Sequence, residues 1–158
     1  MSEVLYFEDF PAGHVTKLGS WTPTEGEIVA FAREWDPQPF HLDEEAARQG
    51  PFGGLVASGW HGICVWGRLY VDAVHSRAAS MGGGAMEDIR FLKPVRPGMR
   101  LHAEVTVLEA TPSKTRPERG TSYWRGTFVD DDGHEVLVMH GRAFFRRRGW
   151  TPEDTKPG

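Results

Sequence analysis

The stretch "WHGICVWGRLYVDAVH", residues 60–75, decides the fold that we predict for this chain. Nearly every position in it is apolar or small, and the polar exceptions form one narrow stripe at helical spacing: Arg68, Asp72 and His75. An α-helix that is apolar on nearly all of its sides is surrounded by other elements. The stretch therefore predicts a long buried helix, with the single cysteine, Cys64, in the core.

The sequence after this helix has the alternating pattern of β-strands. Three glycines at 82–84 end the helical pattern, and residues 85–91 predict a short strand. "LHAEVTVL", residues 101–108, alternates apolar and polar side chains, and a polar loop follows it. Two more strands are predicted over residues 121–129 and 134–148, with an Asp-Gly turn signal between them. This order favours an α+β hot-dog fold, an antiparallel sheet wrapped around a long central helix, although a helix on a flat sheet would give much the same pattern.

The composition is that of a globular domain. The 158 residues, 39% hydrophobic and 25% charged, predict one domain over residues 1–148 and a polar tail at 149–158. The net charge of −4 gives no reason to expect nucleic acid or a membrane surface as a partner. One cysteine excludes an intramolecular disulfide and a multi-cysteine zinc site, and the histidine spacing predicts no metal. The N-terminus lacks the pattern of a secretory signal, so we expect a soluble cytoplasmic protein.

A second helix is predicted upstream and ends at two prolines. In "TEGEIVAFAREW", residues 24–35, Thr24 and Glu27 have the spacing of a capping box, and apolar side chains follow at helical spacing. Pro37 and Pro39 do not fit inside a helix, because each lacks an N–H and clashes with the preceding turn. The helix is therefore expected to end just before Pro37.

The loop "DPQPFH", residues 36–41, places an acid and a base on a stiff backbone. Each proline pushes the residue before it, Asp36 or Gln38, towards extended geometry. Such a loop suits Asp36 and His41 for acid–base chemistry. It also suits a plain helix end, with Asp36 in an Asp-Pro turn and His41 capping the short helical turn predicted at 43–50. By itself, the loop favours this plainer interpretation.

Several motifs together give the chain a resemblance to a known family. They are "YFEDFPAG" (6–13), "TEGEIVAFAREWDPQPFHLDEEAA" (24–47), "GPFGGLVASGWHG" (50–62) and "RFLKPVRPGMRL" (90–101). In this combination the sequence resembles the MaoC-like dehydratase family, which includes (R)-specific enoyl-CoA hydratases. The resemblance implies a hot-dog fold, a homodimer or larger homo-oligomer, and a lyase of fatty acid metabolism. The implied reaction is reversible hydration of a trans-2-enoyl-CoA to a 3-hydroxyacyl-CoA, with no cofactor, because coenzyme A is part of the substrate.

The resemblance assigns catalytic roles to three residues. Asp36 and His41 match the family's catalytic aspartate and histidine, which reverses the preference for a plain helix end. Gly59 matches the glycine whose backbone N–H faces the thioester carbonyl, and a helix N-terminus suits a developing enolate oxygen. The plainer alternative for Gly59 is close packing. The chain departs from many members at Ser58, where they have histidine, and at Gly67, where some have serine, and these departures bear on the acyl-group preference.

The implied reaction needs a base for water, a proton for the α-carbon and stabilisation of the enolate oxygen. We predict that Asp36 and His41 hold one water between them and make both proton transfers. The sequence does not say which of the two makes each transfer.

Five further residues are candidates for substrate binding: Ser58, Trp60, His61, Arg90 and Lys93. Ser58 is not expected to be a nucleophile, because the glycines of a nucleophile elbow are absent, and we expect it to cap the helix. His61, in the first helical turn, either lines the pocket or packs in the core. Arg90 and Lys93 either pair with the phosphates of coenzyme A or belong to a solvated basic rim.

Two other functions compete with hydration. A hot-dog thioesterase would need a carboxylate placed at the thioester carbon, and the pairing of Asp36 with His41 fits attack at the β-carbon better. A non-catalytic acyl-CoA-binding subunit of a heteromeric dehydratase is the second alternative. The presence of both Asp36 and His41 argues against it.

Overall fold

The computed structural model describes residues 3–151. Its strands are β1 (Val15–Trp21), β2 (Ser80–Phe91), β3 (Leu101–Pro112), β4 (Arg119–Val129) and β5 (Glu135–Arg146). Its α-helices are α1 (Glu25–Trp35), α2 (Pro39–Leu42), α3 (Glu44–Arg48) and α4 (Gly59–Ala73), and single 3₁₀ turns lie at Phe7–Asp9 and His75–Arg77.

The five strands form one antiparallel sheet, against which α4 packs. The strand order is β1-β3-β4-β5-β2, so that β1 and β2 are the two edges. Buried side chains alternate along the central strands β3 and β4, as expected where one face of a sheet covers a core. This architecture confirms the predicted α+β hot-dog fold.

Aromatic stacking on strand glycines holds α4 on the sheet. The Trp66 ring lies on the Trp124 ring of β4, with 5.0 Å between centroids, and its indole N–H donates to the carbonyl oxygen of Thr127 at 3.1 Å. A Cβ on Gly126 would collide with the Trp66 ring, and one on Gly141 would collide with the Trp124 ring. The two strand glycines therefore give the indole rings room to lie close to the backbone.

A second, smaller core lies under the helices that precede α4. Ile28 of α1, Ala47 of α3 and Leu55 are buried together. Helix α1 begins at the predicted capping box, in which Thr24 accepts from the Glu27 N–H and the Glu27 carboxylate accepts from the Thr24 N–H. This core packs α1 and α3 against the segment that leads into α4.

Helix α4 is buried on one face only, which corrects the prediction from its sequence. His61, Gly62, Trp66 and Tyr70 are buried. Cys64, predicted in the core, is exposed, and so are Trp60 and Val71. An all-round apolar pattern predicts that every face is covered, but this chain itself covers only the side that faces the sheet.

Two further differences concern the strands. The strand predicted to begin after the glycines at 82–84 instead includes them, since β2 starts at Ser80. Its register with β5 shifts at these glycines, where Gly82 adopts a φ of +90° that other residues avoid. Strand β1 was not predicted, since its residues show no clean alternation and only Leu18 is buried. The β4–β5 turn follows the Asp-Gly prediction, with Gly133 at φ +85°.

The predicted boundaries of the domain, 1–148, and of the tail, 149–158, stay predictions, and residues 1–2 and 152–158 lie outside the described residues. Within residues 3–151, no helix combines the length and the apolar character needed to cross a membrane.

Candidate active site

A cavity of about 450 Å³ opens beside the N-terminus of α4. Its rim is formed by exposed side chains, among them Phe52, Trp60, Phe91 and Leu92. Its floor is buried and largely apolar, and it comprises Val56, Gly62, Phe128, Val136 and Leu137. Asp36 and His41 both line the cavity, so polar groups are concentrated at one place in an apolar wall. Such a combination is typical of ligand sites.

The Asp36 carboxylate is held by two hydrogen bonds from different segments. Asp36 is the C-cap of α1. Its Oδ1 accepts from the side-chain amide of Gln38 at 2.7 Å, and its Oδ2 accepts from the Ser58 hydroxyl at 2.7 Å. Its side chain is only 17% exposed.

The Asp36 carboxyl stays charged to lower pH than an ordinary aspartate. Burial by itself raises the pKa of Asp36, but the hydrogen bonds from Gln38 and Ser58 and the charge of protonated His41 together outweigh burial and lower it. Above this lowered pKa the group is a carboxylate and a weaker base than an ordinary aspartate. Because the folded pKa lies below the unfolded one, its contribution to stability is present above the unfolded pKa and is lost as the pH falls through the folded pKa.

His41 lies in α2, which begins at Pro39, and its ring has a defined tautomer. Proline is tolerated at the first helical position, so the stiff loop predicted at 36–41 contains a helical turn. The ring is buried, and its Nδ1 lies 2.6 Å from the carbonyl oxygen of Val56. A carbonyl oxygen only accepts, so Nδ1 carries the hydrogen.

The other ring nitrogen of His41 faces the carboxylate. Nε2 lies 3.3 Å from Oδ2 of Asp36. In the neutral imidazole this nitrogen has a lone pair, so two acceptors are side by side. A water molecule that donated to both atoms would satisfy them.

The N-terminus of α4 offers two free donors to the same cavity. The N–H groups of His61 and Gly62 donate to the Ser58 carbonyl oxygen at 3.0 and 3.3 Å. Those of Gly59 and Trp60 have no acceptor in the part of the chain that the structure describes. Unpaired N–H groups and the helix dipole together favour negative charge here.

The sequence profile of the MaoC-like domain matches residues 9–123. The chain belongs to the MaoC-like domain family. The match includes both partners of the Asp36–His41 pair and the start of α4.

This MaoC-like chain is similar to proteins from several bacteria. It is 34% identical to the uncharacterised protein YdeM of Bacillus subtilis over 107 residues, which cover 68% of this chain and 76% of YdeM. It is 38% identical to a MaoC-like dehydratase from Rhodospirillum rubrum of known structure, with a TM-score of 0.84 and coverage of 92% and 99% of the two chains. The R-hydratase PhaJ1 of Pseudomonas aeruginosa shares the fold, with 20% identity, a TM-score of 0.73 and coverage of 93% and 90%.

The structure brings four of the predicted site residues to one place in this MaoC-like domain. Asp36, His41, Ser58 and Gly59 lie together, and Trp60 is on the rim, 64% exposed. Ser58 occupies the N-cap position, but its side chain caps no helical N–H and donates to Asp36 instead, which corrects the predicted capping role.

The other three candidates differ from expectation or are already paired. His61 is outside the cavity, where its ring stacks on Phe31 at 4.5 Å and burial lowers its pKa. Arg90 does not line the cavity and pairs with Asp88. Lys93 does line it, but its Nζ lies 2.6 Å from Asp130. Of the two interpretations of His61, packing is the one that the structure supports.

Two residues of the site were missed in the sequence. Gln38 lies between the two prolines and was treated only as part of their backbone effect, although an amide two residues from a carboxylate is well placed to bond it. Phe91 covers Gly59 so closely that a Cβ on Gly59 would lie 2.5 Å from Phe91 Cε1. Gly59 and Phe91 are distant in the sequence, so no local sequence pattern predicts their contact.

One group of potential metal ligands lies outside the cavity. Asp130, Asp132 and His134 place ligand atoms within 4.8 Å of one another in the β4–β5 turn. Asp130 accepts from Lys93 and from the N–H groups of Asp132 and His134, so the turn itself explains its orientation. The expectation that the chain holds no metal stays a prediction.

The His41 tautomer is directly measurable. We expect the neutral ring to carry its hydrogen on Nδ1, because this nitrogen donates to the Val56 carbonyl oxygen. Two-bond ¹H–¹⁵N correlation spectra of ¹⁵N-labelled protein distinguish the two nitrogens. A neutral ring protonated at Nε2 would contradict the hydrogen bond to Val56 and the water site derived from it.

Proposed function

We propose that this protein catalyses the reversible addition of water across the double bond of a trans-2-enoyl-CoA to give a 3-hydroxyacyl-CoA. The observation that carries the proposal is the convergence of three features on one cavity: the Asp36–His41 pair, two free N–H donors and an apolar floor. The likeness to the Rhodospirillum dehydratase supports the reaction class. The acyl-CoA substrate is what the resemblance to the MaoC-like dehydratase family implies.

In the proposed reaction, the water held by Asp36 and His41 attacks the β-carbon. Nε2 of His41 takes a proton from this water, because Asp36, with two hydrogen-bond donors on its oxygens, is the weaker base. The electron pair of the double bond moves towards the thioester oxygen, which becomes an enolate. The imidazolium then returns a proton to the α-carbon, so one water is added and nothing else is consumed.

Two other parts of the site stabilise charge during this step. The N–H groups of Gly59 and Trp60 face the enolate oxygen, where preorganised donors are worth most. The Asp36 carboxylate binds the other hydrogen of the water and lies beside the imidazolium as it forms. The apolar floor, with Phe128 and Leu137, takes the acyl chain, and the open rim admits the rest of the thioester.

We also propose that the working form is a homodimer or a larger homo-oligomer. Strand β2 is a twelve-residue edge strand that is exposed along most of its length, and open edges of this kind favour pairing. Beside it, a groove of about 660 Å³ runs between α4 and β2, lined mainly by apolar side chains and by the glycines at 82–84. A second copy of the chain would cover both surfaces, since the family resemblance implies pairing.

Replacement of Asp36 by Asn tests the proposed reaction. The Asp36→Asn variant keeps the size of the side chain but removes the charge that holds the water and stabilises the His41 imidazolium, and we expect hydration of crotonyl-CoA to fall roughly 10²- to 10⁴-fold. The thermal midpoint should fall only slightly, because the variant loses the small stability that the lowered pKa of Asp36 contributes at neutral pH. The measurement pairs loss of double-bond absorbance with thermal unfolding, and Asp132→Asn, in an exposed turn, is the matched control.

Three results would contradict the Asp36 assignment or the reaction. Near-normal turnover with a lowered midpoint would make Asp36 a loop-capping residue worth about 1 kcal/mol. Release of free thiol without loss of the double bond would indicate a thioesterase. Binding of crotonyl-CoA without either reaction in the unmodified protein would indicate a non-catalytic subunit.

A Gly59→Ala variant tests the role of the α4 N-terminus. The added Cβ must displace the Phe91 ring, which is exposed and free to move, so we expect little change in stability. The variant keeps the Gly59 N–H, but its Cβ obstructs the approach of the thioester oxygen to that donor, so we expect turnover to fall roughly 10²-fold, as when one oxyanion donor is lost. In the double variant Gly59→Ala/Phe91→Ala the steric conflict is removed. Recovery of normal turnover in this variant would show that Gly59 only makes room for the Phe91 ring.

Light scattering tests the oligomer. At micromolar concentration we expect a mass at least twice that of the 17.7 kDa chain. Val71→Asp puts a charge into the groove beside β2 and should lower the measured mass, whereas Val4→Asp, at a similarly exposed position outside the groove, should not. A monomer in the unmodified protein would refute the proposal.

A further inference from the structure

The side chain of Ser58 is used in an unusual way for the first residue of a helix. A serine at an N-cap normally accepts from a backbone N–H two or three residues on. Ser58 is 2% exposed, and its hydroxyl instead donates across to Asp36, 22 residues earlier in the chain, at 2.7 Å. The start of α4 therefore has no side-chain cap, and the single hydroxyl hydrogen goes to the carboxylate.

Gln38 holds the other oxygen of the same carboxylate. Its backbone N–H donates to the Asp36 carbonyl oxygen at 2.8 Å, which folds the chain back between Pro37 and Pro39. Its side-chain amide then reaches Oδ1 at 2.7 Å. A carboxylate with one donor on each oxygen, from two separate segments, has a fixed plane.

We propose that Ser58 and Gln38 are positioning residues that hold the Asp36 carboxylate in the orientation and charge state needed to bind the reacting water beside His41. The inference rests on the proposed hydration reaction for its kinetic consequence. Neither side chain has to touch the reacting atoms, because both act through Asp36. This gives a role to Ser58, which stands where many members of the family have histidine.

The pKa of Asp36 is a suitable measure of its two hydrogen bonds, because few other charged groups lie near it. In the described part of the chain, His41 is the one titratable group in contact with it. Lys93 lines the same cavity but is paired with Asp130. Hydrogen bonds to the charged form lower the pKa of Asp36, so removing either donor should raise it.

The first test follows Asp36 without any substrate. Carboxyl ¹³C chemical shifts are titrated in the unmodified protein and in Ser58→Ala, Gln38→Ala and Gln38→Glu. We expect the apparent pKa of Asp36 to rise in all three, most in Gln38→Glu, because that variant replaces a donor by a like charge. Ser76→Ala, which removes an exposed hydroxyl bonded to the Asp72 carbonyl oxygen, is the control and should leave the titration unchanged.

The second test measures turnover of crotonyl-CoA. We expect Ser58→Ala and Gln38→Ala each to lower kcat roughly tenfold to a hundredfold, the effect of a misplaced catalytic group, with a smaller change in KM. In an Asp36→Asn background the Ser58→Ala change should have almost no further effect, because its target is already gone.

The outcomes separate the proposal from the reaction on which it rests. An unchanged Asp36 titration in Ser58→Ala and in Gln38→Glu overturns the positioning role, and so does an equal loss of kcat with and without Asp36. If the pKa of Asp36 rises in these variants but the unmodified protein hydrates no enoyl-CoA, the positioning of Asp36 by Ser58 and Gln38 is supported and only the proposed reaction is overturned. Gln38 is exposed, so its variants remain informative if Ser58→Ala fails to fold.

Discussion

The packing of the Trp66 ring against Gly126 is the constraint on which the rest of the molecule depends. It leaves no room for a Cβ on that strand residue, and with the Trp124 stack and the bond to Thr127 it fixes the position of α4 on the sheet. The helix is thereby held by rigid aromatic contacts in the middle of its length. The N-terminus of α4 is therefore also held in place, and a site that stabilises charge requires donors in fixed positions.

The loop that carries Asp36 and His41 is joined to this helix by a few directional bonds. The His41 ring donates to Val56, and the Val56 N–H donates in turn to the carbonyl oxygen of Phe40, so the two segments are tied in both directions. The Ser58 bond to Asp36 adds a third tie one residue before the helix. Two of these three ties are made by the His41 and Asp36 side chains, so the bonds that hold the loop also fix the relative geometry of the imidazole and the carboxylate.

The local features of the sequence account for a large part of the site. The capping box at Thr24, the prolines beside Asp36 and the glycine at 59 each act over a few residues, so their effect is visible in the sequence. The alternation of β3 is likewise a local consequence of one covered and one exposed face. In contrast, β1 has a single buried side chain, and pattern alone does not identify a strand that covers so little of the core.

The sequence by itself determined the α+β pattern, the stiff turn that carries Asp36 and His41, and the start of a helix near Gly59, because each follows from backbone rules within a short window. Only the tertiary structure decided what the long-range groups do. Ser58 donates to Asp36 rather than capping its helix, His61 packs on Phe31 away from the cavity, and Cys64 faces outward. These outcomes depend on which segments meet across the fold. A hydroxyl, an imidazole or a thiol can contact many kinds of neighbour, and the tertiary fold decides which neighbour lies within reach.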